Sequence, residues 1–331
     1  MEAGAARGRA GRGGEVVSAE DVEAAARRIA GVVRRTALMV ETPLDELCGC
    51  RVVLKPEQFQ RGGSFKLRGA YNRLRQAAPA EVAAGVVAYS SGNHGAAVAL
   101  AAGLLGMEAT VVVPSDAPAI KLRAIREYGA RVVTYDPARE SREEVAAAIV
   151  AEHGSLLVPP FDDPRIIAGQ GTVGLEIAED AGELDAVLVP IGGGGLASGV
   201  ATAVTARMPG CRVVGVEPAG ADDTRRSLAA GHRVAVEEVR TIADGLRAAM
   251  PGELTFAVNQ GLLDEVVAVE DAAISEAMRT LFERVKVVVE PSGAVGVAAL
   301  LSGAFAAPGG RVGVVLSGGN VDAGRFAELI A

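Results

Sequence analysis

The chain of 331 residues predicts an α/β fold made of two open, mostly parallel sheets with flanking helices. Three observations carry that expectation. Short Val-rich runs alternate with longer amphipathic ones from residue 52 onward. Half the residues are apolar, yet only 3% are aromatic and there is no Trp, as in sheets packed from Val, Ala, Leu and Gly. Glycine-containing turns follow several of the Val-rich runs. Strand–helix–strand alternation at this spacing builds parallel sheets, and there are too many strand runs for one small sheet. At about 150 residues per domain, the length suits two domains.

The elements follow in order. Ser18 and Asp21 have capping-box spacing and open the first helix. Strands are expected over 52–55, 85–89, 110–113, 131–135, 155–158, 186–189, 212–216 and 312–316. Helices are expected over 95–105, 120–128, 142–152, 167–179 and 196–208. Residues 1–17 read as a disordered tail without the apolar segment of a secretory signal. The stretches 82–107, 186–206 and 291–310 carry no Asp, Glu, Lys or Arg. Each approaches the ~20 residues of a membrane helix, but glycines and polar residues interrupt them, so buried strands and their packed helices explain them better.

Composition excludes several classes. With 33 basic and 41 acidic residues, the net charge of −8 repels a phosphate backbone, so no nucleic-acid partner is expected. Three cysteines cannot staple a chain of this size, and Cys48-Gly-Cys50 lacks the further ligands of a zinc site. They read as reduced thiols in a cytoplasmic protein. No membrane partner is expected.

In open parallel sheets, ligands sit at the carboxyl ends of the strands, and the chemistry-bearing motifs fall there. In Gly62-Gly-Ser-Phe-Lys-Leu-Arg-Gly-Ala70, Ser64 reads as an N-cap, which puts Lys66 in a helix's first turn. Burial and the positive helix end would lower the pKa of Lys66 and give a free amine able to form a Schiff base. A solvated surface lysine is the competing reading. Ser90-Ser-Gly-Asn-His-Gly95 reads either as an anion cradle at a helix start or as a capped turn. Gly192-Gly-Gly-Gly-Leu196 suits a phosphate, yet it is neither a Walker loop nor a dinucleotide fingerprint. Ser317-Gly-Gly-Asn320 presents a hydroxyl after the last strand. Glu217-Pro-Ala-Gly-Ala-Asp-Asp223 could hold a hard cation through oxygen ligands or cap the following helix.

Taken in order, these motifs resemble the pyridoxal-phosphate enzymes of the tryptophan-synthase-β type, the fold-type-II group, and within it the threonine/serine dehydratase and serine racemase branch. Ile167-Ala-Gly-Gln-Gly-Thr172, Thr241-Ile-Ala-Asp-Gly245 and Val289-Glu-Pro-Ser-Gly293 extend the match, which covers about residues 20 to 325. The resemblance implies pyridoxal 5'-phosphate held as a Schiff base by Lys66, which also moves the Cα proton. Phe65 would flank the ring, Asn93 would bond its 3-hydroxyl and Ser317 its nitrogen. Gly192, Gly193, Gly194, Gly195 and Leu196 would bind the phosphate. Ser90, Ser91, Asn93 and His94 would take the substrate carboxylate, with Ser91 as a second acid/base. Arg142 matches a substrate-gating position. Glu217, Ala221 and Asp223 match a cation site, for magnesium or a similar divalent or monovalent ion. A large domain from 18–77 and 163–331 would carry a smaller one inserted at 78–162.

The activity this implies is an ammonia-lyase converting L-threonine to 2-oxobutanoate and L-serine to pyruvate. Serine racemase and threo-3-hydroxyaspartate ammonia-lyase are the alternatives, and a non-catalytic cofactor-binding protein is the third. Ala248 departs from animal racemases, which carry a substrate-contacting serine there. The resemblance further implies a homodimer acting on a small amino acid. Because the chain ends eleven residues after Asn320, feedback by isoleucine through a C-terminal regulatory domain is not expected.

Overall fold

The computed structural model describes residues 16–90, 92–117 and 119–331. Among them the strands are β1 (Arg51–Pro56), β2 (Val86–Tyr89), β3 (Ala109–Pro114), β4 (Arg131–Tyr135), β5 (Leu156–Leu157), β6 (Ala186–Pro190), β7 (Arg212–Pro218), β8 (Glu265–Val269) and β9 (Arg311–Leu316). They form a five-stranded sheet in the order β1-β9-β6-β7-β8 and a four-stranded sheet in the order β4-β3-β2-β5. Every strand pair is parallel. The second sheet is drawn wholly from residues 86–157, while the first uses chain on both sides of that segment.

The helices are α1 (Ala19–Ile29), α2 (Leu44–Cys48), α3 (Lys66–Arg75), α4 (Asn93–Leu105), α5 (Ala119–Glu127), α6 (Arg142–His153), α7 (Pro164–Asp180), α8 (Gly195–Arg207), α9 (Asp223–Ala230), α10 (Glu253–Leu262), α11 (Asp271–Thr280), α12 (Pro291–Leu301) and α13 (Ala323–Ile330). The charge-free stretches become β2 with α4, β6 with α8, and α12. Among the described residues, no helix is long and apolar enough to cross a membrane.

The Val-rich runs are strands because both sheet faces are covered. Val187, Leu188 and Val189 of β6 and Val312, Val314 and Val315 of β9 are all inaccessible, as continuous apolar runs in parallel sheets should be. The edge strand β8 escaped the sequence reading. Only Val269 within it is fully buried, and it opens on Glu265, so the run is short and mixed. Two local expectations change. Ser64 does not cap α3: it is extended and bridges Gly318, while the Phe65 N–H donates to the Ser317 carbonyl, leaving Phe65 at the helix start without a side-chain cap. Val17, expected as the end of a tail, is buried in a cluster with Val22, Ile167 and Leu175. Residues 1–15 lie outside the described residues.

A buried ionic quartet fixes α3 to the first sheet and to α7. Arg68 is fully buried, and its guanidinium donates to Glu57 through Nε and Nη2, both at 2.8 Å. It also donates to Glu176 through Nη1 at 2.7 Å and Nη2 at 2.9 Å. Lys55 of β1 reaches the same Glu176 at 2.5 Å and the Thr36 carbonyl at 2.7 Å. Burial alone would weaken these charges. The forked pairing instead keeps Glu57 below its ordinary range and Arg68 above its own. The backbones of α3 and α7 are also in contact: a Cβ on Gly169 would lie 2.6 Å from the Gly69 Cα.

Arg68→Met leaves Glu57 and Glu176 with Lys55 as their one cation in the quartet. It should destabilise the protein by about 3–5 kcal/mol in urea unfolding, the cost of breaking a buried pair. A loss below about 1 kcal/mol, the scale of an exposed pair, would show that the quartet is not a fixed constraint.

Candidate active site

The carboxyl ends of both sheets open on one cavity of about 1140 Å³. Tyr89 ends β2, Pro114 ends β3, Tyr135 ends β4, Pro190 ends β6, and Ser317 follows β9; all line it. So do Phe65, Lys66, Ser90, Asn93, His94, Arg142, Gly192, Gly193, Gly194, Gly195 and Leu196. The fold thus gathers residues from more than 250 positions of sequence at one place. Ser91 lies outside the described residues.

Lys66 is the first residue of α3, and its ring-side neighbour is Phe65, whose centroid is 5.2 Å from Nζ. Nζ donates to the Pro160 carbonyl at 2.7 Å. Burial pushes the amine down to about 8 from an ordinary 10.5, opposed by the charge of Glu290. An amine with that pKa is partly free at neutral pH, as a nucleophile or base requires.

The next wall is the start of α4. Its first residues are Asn93, His94 and Gly95, whose N–H groups have no intrahelical acceptor. They make a positive end suited to a carboxylate. The Ser90 hydroxyl accepts from the Gly92 N–H at 3.2 Å and shapes the approach. His94 is buried, and burial together with the charge of Lys66 lowers its imidazole to about 3. The ring is therefore neutral, and Nε2 must carry the proton donated to the Val158 carbonyl at 2.9 Å. That side chain is committed to the fold, so His94 offers an anion its backbone N–H.

Asn93 is set by two partners. Its Nδ2 donates to Glu290 at 2.7 Å and its Oδ1 accepts from Asn320 at 2.8 Å. One amide hydrogen remains for a ligand oxygen. Glu290 and Asn320 were quoted within motifs but given no role by sequence reasoning, because their function is to orient a residue distant in the chain. A Cβ on Gly318 would fall 2.3 Å from Glu290 Oε1, so that glycine admits the carboxylate.

The tetraglycine follows β6 and leads into α8. Gly194 has φ +94°, a conformation that favours glycine. A Cβ on Gly193 would overlap the Phe161 ring at 2.1 Å. This backbone, ending at the positive end of a 13-residue helix, fits a phosphate. Ser317 Oγ is buried and makes only a long bond, 3.4 Å, to the Ser292 carbonyl, so it can turn to donate to a ring nitrogen. A low-pKa lysine, an aromatic neighbour, a phosphate cradle and a hydroxyl on one cavity fit pyridoxal phosphate.

Arg142, at the start of α6, lies over the Tyr89 ring at 5.7 Å and pairs with Glu143 at 2.8 Å. Glu217 near the end of β7, and Ala221 and Asp223 after it, are not among the residues lining this cavity. The Glu217 carboxylate accepts from the N–H groups of Thr224 and Arg225, both at 2.9 Å, and so caps α9. Both oxygens of Asp223 are buried and lack a hydrogen-bond partner among the described residues. Burial raises Glu217 to about 7 and Asp223 to about 8. Among the described residues, no group of three or more His, Cys, Asp or Glu could hold a metal.

Lys66 offers a direct test. The rate at which the cofactor-free protein forms its imine with pyridoxal phosphate should rise with pH and level off above about 8. The amine is protonated, hence unreactive, below that value. A rise continuing to the ordinary lysine value of 10.5 would contradict the burial argument.

Residues 11–318 match the family model described as pyridoxal-phosphate dependent enzyme. The chain is 43% identical over 311 residues to the L-threo-3-hydroxyaspartate ammonia-lyase of Saccharomyces cerevisiae, covering 94% of this chain and 95% of the relative. The structure of maize serine racemase superposes with a TM-score of 0.90 at 43% identity, covering 95% and 96% of the two chains. That of the threonine deaminase from T.th. gives 0.87 at 47% identity, covering 92% and 99%. The chain belongs to the pyridoxal-phosphate dependent enzyme family.

Proposed function

We propose that this protein is an ammonia-lyase for small β-hydroxy amino acids, with L-threo-3-hydroxyaspartate as its preferred substrate and serine racemisation as a second activity. The observation that carries the preference is Arg142, a guanidinium on the cavity wall stacked on Tyr89. A β-carboxylate can pair with it, whereas the methyl of threonine cannot. The relatives named for hydroxyaspartate and serine support the same order. The L-threonine reading therefore moves to second place, where the threonine deaminase likeness supports it.

In this reading Lys66 would hold the cofactor, and its amine would be the group that takes the Cα proton. When bound, the cofactor supplies the electron sink for the charge developing at Cα. The α4 N-terminus receives the α-carboxylate through backbone N–H groups. Asn93, oriented by Glu290 and Asn320, donates to the ring oxygen, and Ser317 to the ring nitrogen. Gly192 to Leu196 bind the phosphate. Ser91 is proposed as the acid/base on the opposite face, which racemisation requires. Assembly as a homodimer belongs to the same proposal.

Glu217 and Asp223, with a main-chain oxygen of Ala221, are proposed as a cation site. Two buried carboxylates, one without partners, would be neutralised by a hard ion. Magnesium should then raise the melting temperature by a few degrees through binding to the folded state alone. Asp223→Asn should remove that increment; an unchanged increment would reject the site.

The function is tested by proton NMR of the cofactor-loaded protein with L-threo-3-hydroxyaspartate, L-serine and L-threonine in heavy water. Fastest oxo-acid release from the hydroxyaspartate is expected, with wash-out of the serine α-proton outpacing pyruvate. Fastest release from threonine would overturn the preference. Lys66→Ala should end all turnover. Arg142→Ala should raise KM for the hydroxyaspartate about tenfold, the weight of a lost charge pair, and that for serine less than about twofold.

A further inference from the structure

The phosphate cradle has a mechanical problem. Peptides between glycines have no Cβ to favour one orientation, so each can flip. Within one peptide unit the carbonyl and the N–H point in opposite directions. Whatever holds the Gly193 carbonyl therefore decides where the Gly194 N–H points. In this chain Thr255 holds it: its hydroxyl donates to the Gly193 carbonyl at 2.7 Å. Thr255 is fully buried in the first turn of α10, and it also backs the next residue, since a Cβ on Gly194 would lie 2.8 Å from the Thr255 Cβ. One turn on, Asn259 fills the same side, with Nδ2 2.9 Å from that position. Ser198 of α8 ties the two helices together, its hydroxyl lying 3.2 Å from the Thr255 carbonyl and 3.0 Å from Asn259 Oδ1, either of which can accept its one hydrogen.

Thr255 is itself placed from a distance. The residue before α10 is Gly252, which has no side chain to cap it. Asp162, some ninety positions earlier, supplies the cap. Its carboxylate accepts from the N–H groups of Glu253 at 3.0 Å, Leu254 at 2.9 Å and Thr255 at 3.1 Å. Asp162 belongs to the crossover segment whose Pro160 carbonyl receives Lys66 Nζ.

We propose that Thr255 is a positioning residue of the phosphate cradle. Its hydroxyl pins the Gly193 carbonyl behind the loop and so keeps the Gly194 N–H turned to the cavity, with Asp162 setting Thr255 through the end of α10. The proposal rests on the cofactor phosphate occupying the tetraglycine loop.

The test is a titration of the cofactor-free full chain with pyridoxal 5'-phosphate and, separately, with pyridoxal, reading imine absorbance at Lys66. The wild-type chain should prefer the phosphorylated form; equal affinity would overturn both the loop assignment and this proposal. Thr255→Val keeps the shape and removes the hydroxyl. It should weaken pyridoxal phosphate about tenfold, the scale of one buried hydrogen bond lost, and pyridoxal by less than about twofold. Thr255→Ser should restore the phosphate preference. Equal weakening of both compounds would mark a merely structural residue, and no weakening would make the hydroxyl irrelevant; either overturns the proposal. Should Thr255→Val fail to fold, Asp162→Ala decides. Selective loss of pyridoxal phosphate is expected, and unselective loss or none refutes the relay.

Discussion

The site depends first on where α3 stands, because that helix carries Lys66 on its opening residue. Arg68, two residues on, points away from the cavity and is held in a fork by Glu57 and Glu176 in the dry interior. Four charges buried together cost desolvation that apolar side chains would avoid. What they give is direction: a guanidinium satisfied bidentately on two sides tolerates little rotation or sliding of its helix. Lys55 extends the constraint to β1, and Glu176 to α7.

A second constraint comes from the short crossover between β5 and α7. The Val158 carbonyl accepts a hydrogen bond from His94 and the Pro160 carbonyl one from Lys66. The Phe161 ring lies on the tetraglycine, Asp162 caps α10, and Asp163 caps α7 while pairing with Arg73 at 2.9 Å. A six-residue segment thus touches α4, Lys66 and the tetraglycine, so the three cannot drift independently.

The electrostatics follow from these placements. The ends of α4 and α8 offer backbone N–H groups to an anion, alongside the Arg142 guanidinium on the same cavity wall. His94 is kept neutral by burial, and Lys66 is brought toward neutrality by the same cause. Glu290, at the start of α12, is the carboxylate that offsets the lysine and holds the Asn93 amide in one orientation.

Much of this was legible in the chain. Val-rich runs flanked by glycine turns mark the parallel strands, and the edge strand β8 was missed because its run is short and opens on Glu265. Lys66, the glycine loop and Ser317 each had a competing local reading, and only their order along the chain, through the family resemblance, gave them expected roles. The supporting residues were silent. Asp162, Thr255, Glu290 and the Pro160 carbonyl are ordinary in composition and spacing, and they gain meaning only from partners 62 to 197 residues distant. Ser64 shows the same limit in reverse: a residue suited to capping was taken into a bridge with Gly318. The sequence by itself determined the sheet type, because periodicity and residue type act over a few neighbours. Only the tertiary structure decided protonation, peptide orientation and the helix placements, because those are set by burial and by hydrogen bonds that long-range packing alone brings together.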